Sequence, residues 1–141
     1  MVTVTEIANG RGVEFSCTEH VDILQLCDSK VSLSERFPGL AGWYFAIVDL
    51  SEIGQLDVTP EQIPALVELD NELSKLVRPG LPLAIIAPEA LTYDISRIWQ
   101  AVSASTGWES KIFRERSAGE TWLRHRVSAA YRVELPSHLA A

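Results

Sequence analysis

The alternation of short apolar runs with amphipathic stretches over residues 43–127 constrains this chain more than any other feature. Residues 43–50 are almost continuously apolar up to Asp49-Leu50, and residues 83–87 repeat the pattern, so each reads as a strand covered on both faces. Residues 111–115 give a third strand. Between the first two, Thr59-Pro60-Glu61-Gln62 combines a capping residue, a first-turn proline and a glutamine three residues after the cap, which predicts a helix starting near Pro60. Pro64 lacks the N–H that would bond back one turn, so that first turn is expected to be kinked or separate, with the regular helix over residues 64–77. Ile63, Leu66, Val67, Leu69, Leu73, Leu76 and Val77 form its expected buried stripe. Leu91, Ile95, Ile98, Trp99 and Val102 recur at helical spacing, and Gly107 ends that segment. Ser117-Ala118-Gly119-Glu120 repeats the capping pattern and predicts a last helix over 118–127, burying Trp122 and Leu123. Strands alternating with helices on short connections pair in parallel through right-handed crossovers.

The N-terminal part reads differently. Residues 2–7 and the alternation Val13, Phe15, Cys17 predict two strands around an Asn9-Gly10 turn, an opening hairpin. After it, Thr18 with Glu19 and Asp22 suggests a capped helix, although residues 23–27 also suit a strand. The expected fold is α/β, a mixed sheet with an N-terminal hairpin and a parallel βαβαβα C-terminal half. Residues 1–127 form one domain in this reading, and 128–141, without periodicity, form a loose tail or an arm that docks on a neighbour.

Composition excludes several classes. With 141 residues, 47% of them hydrophobic, one core suffices, and no apolar stretch approaches the roughly 20 residues of a membrane-spanning helix. Glu6 and Arg11 interrupt the N-terminus where an export signal needs apolar residues, so a cytoplasmic location is expected. The net charge of −7 is divided unevenly: residues 1–96 hold 5 Lys/Arg against 15 Asp/Glu, whereas residues 97–132 hold 7 against 3. A nucleic-acid binder needs clustered cations to displace counterions, and this chain is a poor candidate. The asymmetry suits pairing of acidic and basic faces within a subunit or between subunits, and a homo-oligomer is expected.

Four stretches together resemble the SpoIIAA-like branch of the STAS superfamily: Ile47-Val48-Asp49-Leu50-Ser51; Leu83-Ala84-Ile85-Ile86-Ala87-Pro88; Ile95-Ser96-Arg97-Ile98-Trp99; and Ile112-Phe113-Arg114-Glu115-Arg116 with Glu120-Thr121-Trp122-Leu123. The resemblance covers residues 43–127 and implies a mixed sheet packed with helices, no enzymatic activity, no cofactor and a role as a binding module. Related SEC14-like domains carry hydrophobic ligands. The best-known relatives are switched by phosphorylation of a Ser or Thr that follows an Asp at a helix start. Here Asp57 matches that Asp, Val58 occupies the acceptor position, Thr59 is the adjacent hydroxyl and Pro60 replaces a glycine. Valine accepts no phosphate, so the resemblance implies a module without the phosphoserine switch, and Thr59 reads as an N-cap.

Direct chemical signatures are sparse. No GxGxxG or GxxxxGK[ST] turn is present. Cys17, His20 and Cys27 fall short of the four ligands of a structural zinc site, so no metal is expected. No Ser, His and carboxylate share a spacing that suggests a triad. Ligands of open α/β sheets collect beyond the carboxyl ends of the strands, which nominates Asp57, Thr59, Tyr93 and Arg97 as a binding rim. Asp70 lies within the apolar stripe of its helix, where a carboxylate must be paired, protonated, or at the edge reaching solvent; the edge is the commoner case. Two functions follow: association with an unknown protein partner through the rim, or carriage of a small apolar ligand between sheet and helices.

Overall fold

The computed structural model describes residues 1–140 and contains β1 (Val2–Ile7), β2 (Gly12–Asp22), α1 (Ile23–Val31), α2 (Leu33–Arg36), β3 (Phe45–Asp57), α3 (Ile63–Ser74), β4 (Pro82–Ile86), α4 (Ala90–Val102), β5 (Glu109–Phe113) and α5 (Arg116–Tyr131). The strands form one sheet in the order β1-β2-β3-β4-β5. β1 and β2 are the expected antiparallel hairpin, turning through Asn9 and Gly10 at φ of 58° and 79°. β2, β3, β4 and β5 run parallel.

Because each crossover steps in the same direction along the sheet and has the same hand, α1, α3 and α4 pack on one face. Val13, Phe15 and Cys17 of β2, Ala46 and Leu50 of β3, and Leu83 and Ile85 of β4 meet Leu66, Val67, Leu73 and Trp99 there. The opposite face has Phe45, Ile47, Ala84 and Ile86, and α5 returns across it with Leu123 and Val127. Gly119 permits this close approach, since a Cβ at that position would lie 2.6 Å from Ile86 Cδ1. α5 leaves β1 and most of β2 uncovered on this side, where Thr3 and Thr5 face solvent.

Residues 18–22 depart from the expected helix. They remain in β2 and pair with β3 from Thr18↔Glu52 to Asp22↔Asp57, with one register irregularity between Glu19 and His20 and another just before, between Ser16 and Thr18. The long second half of β3 offers backbone partners that outweigh the local helical signal. Helix α1 starts later, capped by Asp22, whose carboxylate accepts from Gln25 N–H while the Gln25 side chain accepts from Asp22 N–H, both at 2.9 Å. Pro60–Gln62 is a separate 3₁₀ turn before α3, as Pro64 requires, and Leu76 is exposed beyond the helix end. α5 starts at Arg116, without a side-chain cap from Ser117, and continues past the expected end to Tyr131.

The segment after α5 packs on its own chain. Arg132 turns it back at φ 55°, and Val133, Leu135 and Leu139 pack with the α5-side core. Leu139 is fully buried, and Arg124 Nη1 holds the Ser137 carbonyl at 3.1 Å. Among the described residues, no helix is long and apolar enough to cross a membrane. Truncating Leu139→Ala removes a buried side chain from this face, and urea unfolding should show a loss of about 2–4 kcal/mol; an unchanged midpoint would refute the docking.

Candidate functional site

Asp70 is the most deeply buried polar group of the molecule. One turn after Leu66 and one before Leu73, it shares the inward face of α3, and its exposure is 0%. This corrects the solvent-reaching edge reading. The stripe lies under α1 and α4, and both supply donors to the carboxylate. The Lys30 ammonium from α1 pairs with Oδ1, and Trp99 Nε1 from α4 donates to Oδ2 at 2.8 Å. Lys30 Nζ also lies 5.6 Å from the centroid of the Phe15 ring on β2, so the ammonium occupies the layer between sheet and helices.

Beside this pair is a cavity of about 80 Å³. Val48, Leu50, Leu83 and Ile85 form its floor, Leu66, Ile95 and Trp99 its roof, and Leu26 and Lys30 one wall. Leu56 near the end of β3 and Val58 just after it border it as well. A second void of about 30 Å³ lies beyond the shared side chains Phe15, Lys30, Val48 and Leu83, and Trp108 borders it.

The rim residues stand around this cavity without meeting. Asp57 ends β3 and faces His20, Oδ2 to Nε2 at 3.7 Å, both exposed. Thr59 N–H donates to Gln62 Oε1 at 3.0 Å, the reciprocal half of the expected cap. On α4, Tyr93 lies under the Arg114 guanidinium at 4.4 Å, and Arg97 is exposed. The neighbouring Leu56, Val58 and Ile95 line the same cavity, but among the described residues no hydrogen bond or ion pair joins Asp57 or Thr59 to Tyr93 or Arg97.

At the middle of β3, where β4 ends, is a polar cleft of about 330 Å³ lined by Glu14, Asp49, Ser51, Glu52 and Arg116. Arg116 reaches Glu120 through Nε and Asp49 through Nη1, both at 2.8 Å, and Glu14 through Nη2 at 2.5 Å. Arg116 belongs to the basic third of the chain, residues 97–132, but it is not left as a free cation. Instead three carboxylates consume its charge, while Arg126 pairs with Glu109. Burial works to raise the Asp49 pKa, but hydrogen bonds from Ser51 and Arg116 outweigh it and hold the carboxyl below the ordinary carboxylate range.

Cys17 is buried on β2, and burial pushes its thiol up to about 11. Burial also raises that of Cys27 on α1. Among the described residues, no cluster of three or more His, Cys, Asp or Glu side chains is arranged to hold a metal ion.

Lys30 is the site residue that sequence reasoning missed. Its signal is weak: a single cation on the short helix that follows the hairpin, forty positions from the carboxylate it meets.

No protein-family model matches the chain, and no curated protein matches it. Among solved structures, it is similar to an uncharacterized DUF3478-family protein from Shewanella loihica PV-4 described as having a SpoIIAA-like fold. The TM-score is 0.56 at 16% sequence identity, covering 87% of this chain and 92% of that one.

Two predictions follow from the charge pairs. The ionised Asp49 is favoured by folding, so its contribution is present above the unfolded carboxylate pKa of about 4 and is lost as pH falls through the lower folded value. Asp49→Asn should therefore flatten the loss of stability below about pH 4 in acid unfolding curves; an unaltered slope would refute the assignment. Lys30→Met strands the Asp70 carboxylate and should cost about 3–5 kcal/mol, whereas Lys30→Met/Asp70→Asn should recover most of it in a double-mutant cycle. With its five-stranded mixed sheet and the helices packed on it, the chain has a SpoIIAA-like α/β fold.

Proposed function

We propose that this protein is a non-enzymatic binding module that carries a small, predominantly apolar ligand between its sheet and the α1, α3 and α4 layer. The cavity beside Lys30 and Asp70 carries the reading. Protein interiors are close-packed, with few voids larger than a water molecule, and apolar voids stay dry and accept apolar molecules. An engineered cavity of about 150 Å³ takes benzene, so this one suits roughly three or four heavy atoms or the end of a longer chain.

Access favours the α1 wall. α1 buries only Ser29 among its nine residues, and Leu24 and Val31 are exposed. The surrounding polar groups suit holding more than reacting: the two oxygens of Asp70 are engaged by Lys30 and Trp99. Carriage takes precedence over association through the rim because the cavity is an assembled site, whereas Asp57, Thr59, Tyr93 and Arg97 are each engaged locally or stand alone.

The test is xenon, an apolar probe small enough for the volume. The wild-type protein should shift the ¹²⁹Xe resonance saturably and perturb the methyl signals of Leu66 and Ile85, and Val48→Leu, which intrudes on the cavity, should weaken both effects. A protein in which xenon leaves these methyl signals untouched does not carry an apolar ligand there.

A further inference from the structure

Resting on the cavity reading, the geometry points to Lys30 and Trp108 as the donors for one neutral oxygen of the ligand. The site would then select small apolar molecules that end in a carbonyl or hydroxyl, over carboxylates of the same shape.

Four side chains with N–H or O–H groups line the main cavity: Ser29, Lys30, Ser96 and Trp99. Ser29 Oγ donates to the Leu26 carbonyl at 2.6 Å, Ser96 Oγ to the Thr92 carbonyl at 2.7 Å, and Trp99 Nε1 to Asp70 at 2.8 Å. Each of these has spent its donor. Lys30 has three, and Asp70 takes one; among the described residues it donates to no other group. The adjoining void of about 30 Å³ exceeds the volume one water or oxygen-sized group needs, and Lys30 borders it as well. Trp108 also lines this void, and its buried indole N–H has no hydrogen-bond partner among the described residues. An apolar body in the larger space and an oxygen in the smaller one would satisfy both groups.

Charge selects the kind of oxygen. Lys30 and Asp70 already balance one another, with side-chain exposures of 13% and 0%. A carboxylate brought beside them leaves one negative charge uncompensated in a medium of low polarity, close to Asp70, whereas a carbonyl or hydroxyl keeps the balance. Lys30 is also the one residue shared by the cavity and a surface groove of about 150 Å³ between α1 and α3, so it stands where an entering molecule is first met.

Acetone, isobutene and acetate have nearly the same shape; isobutene lacks the acceptor oxygen, and acetate adds a negative charge. Titrations followed by amide and methyl NMR should show saturable cavity binding of acetone and isobutene by the wild-type protein, and none of acetate. Lys30→Met/Asp70→Asn should weaken acetone about tenfold or more, and Trp108→Phe about two- to tenfold, with isobutene unchanged or tighter in both. Trp108→Phe removes an unpaired donor and is expected to fold. Acetate binding as well as acetone, isobutene entering without acetone, or acetone indifferent to both substitutions would overturn the inference while leaving the carrier reading intact. Exclusion of isobutene and xenon alike from the wild-type cavity would remove both.

Discussion

The handedness of the crossovers is the constraint on which the rest depends. Three parallel connections step the same way across the sheet, so α1, α3 and α4 have no choice of side. That decides where the cavity lies, because the three helices must share one sheet face and are not matched to it with equal closeness. It also leaves the other face, with Phe45, Ile47, Ala84 and Ile86, without a crossover to cover it. α5 and the arm ending at Leu139 meet that need, and Arg116 fastens the start of α5 to Glu14 on β2 and Asp49 on β3.

Within the three-helix layer the Lys30–Asp70 pair is an energetic anomaly. Taking both ions out of water costs several kcal/mol each, and their attraction with one indole hydrogen bond returns that only approximately. A methionine and an asparagine would fill the same space without the penalty. The pair joins the least buried helix to the most buried stripe, so it orients α1 over the cavity as much as it stabilises it. Dispersion contacts alone would hold a nine-residue helix with a single buried position in no particular register.

Much of the fold was legible from residues alone. The hairpin, the three parallel strands and α3 and α4 followed from runs such as 83–87 and from the Pro60 and Pro64 signals, because buried strands and helix starts leave local patterns. Residues 18–22 were not legible: a distant strand edge, 52–57, overrode a local cap. The terminal arm was hidden because an extended segment contacts the core at irregular intervals, Val133, Leu135 and Leu139, with no period to detect. At the site, the position of Asp70 on the stripe was visible, yet its partners come from α1 and α4. Proximity across forty and twenty-nine residues has no trace in spacing.

The long β2–β3 ribbon has a different bearing on the molecule. β4 pairs with β3 only as far as Asp49, so beyond it that margin of the ribbon lacks a neighbouring strand, while on the other margin Met1 takes the Thr18 N–H and donates to the His20 carbonyl, leaving β2 without a partner only past that point. Bare margins of this kind invite edge-to-edge aggregation. Here Glu19, Asp22, Glu52 and Asp57 give the ribbon an excess of negative charge, and the displaced backbone at Glu19, with φ of 61°, interrupts its regularity. Two such ribbons approaching one another repel before they can share a ladder, which protects the protein from its own most adhesive element.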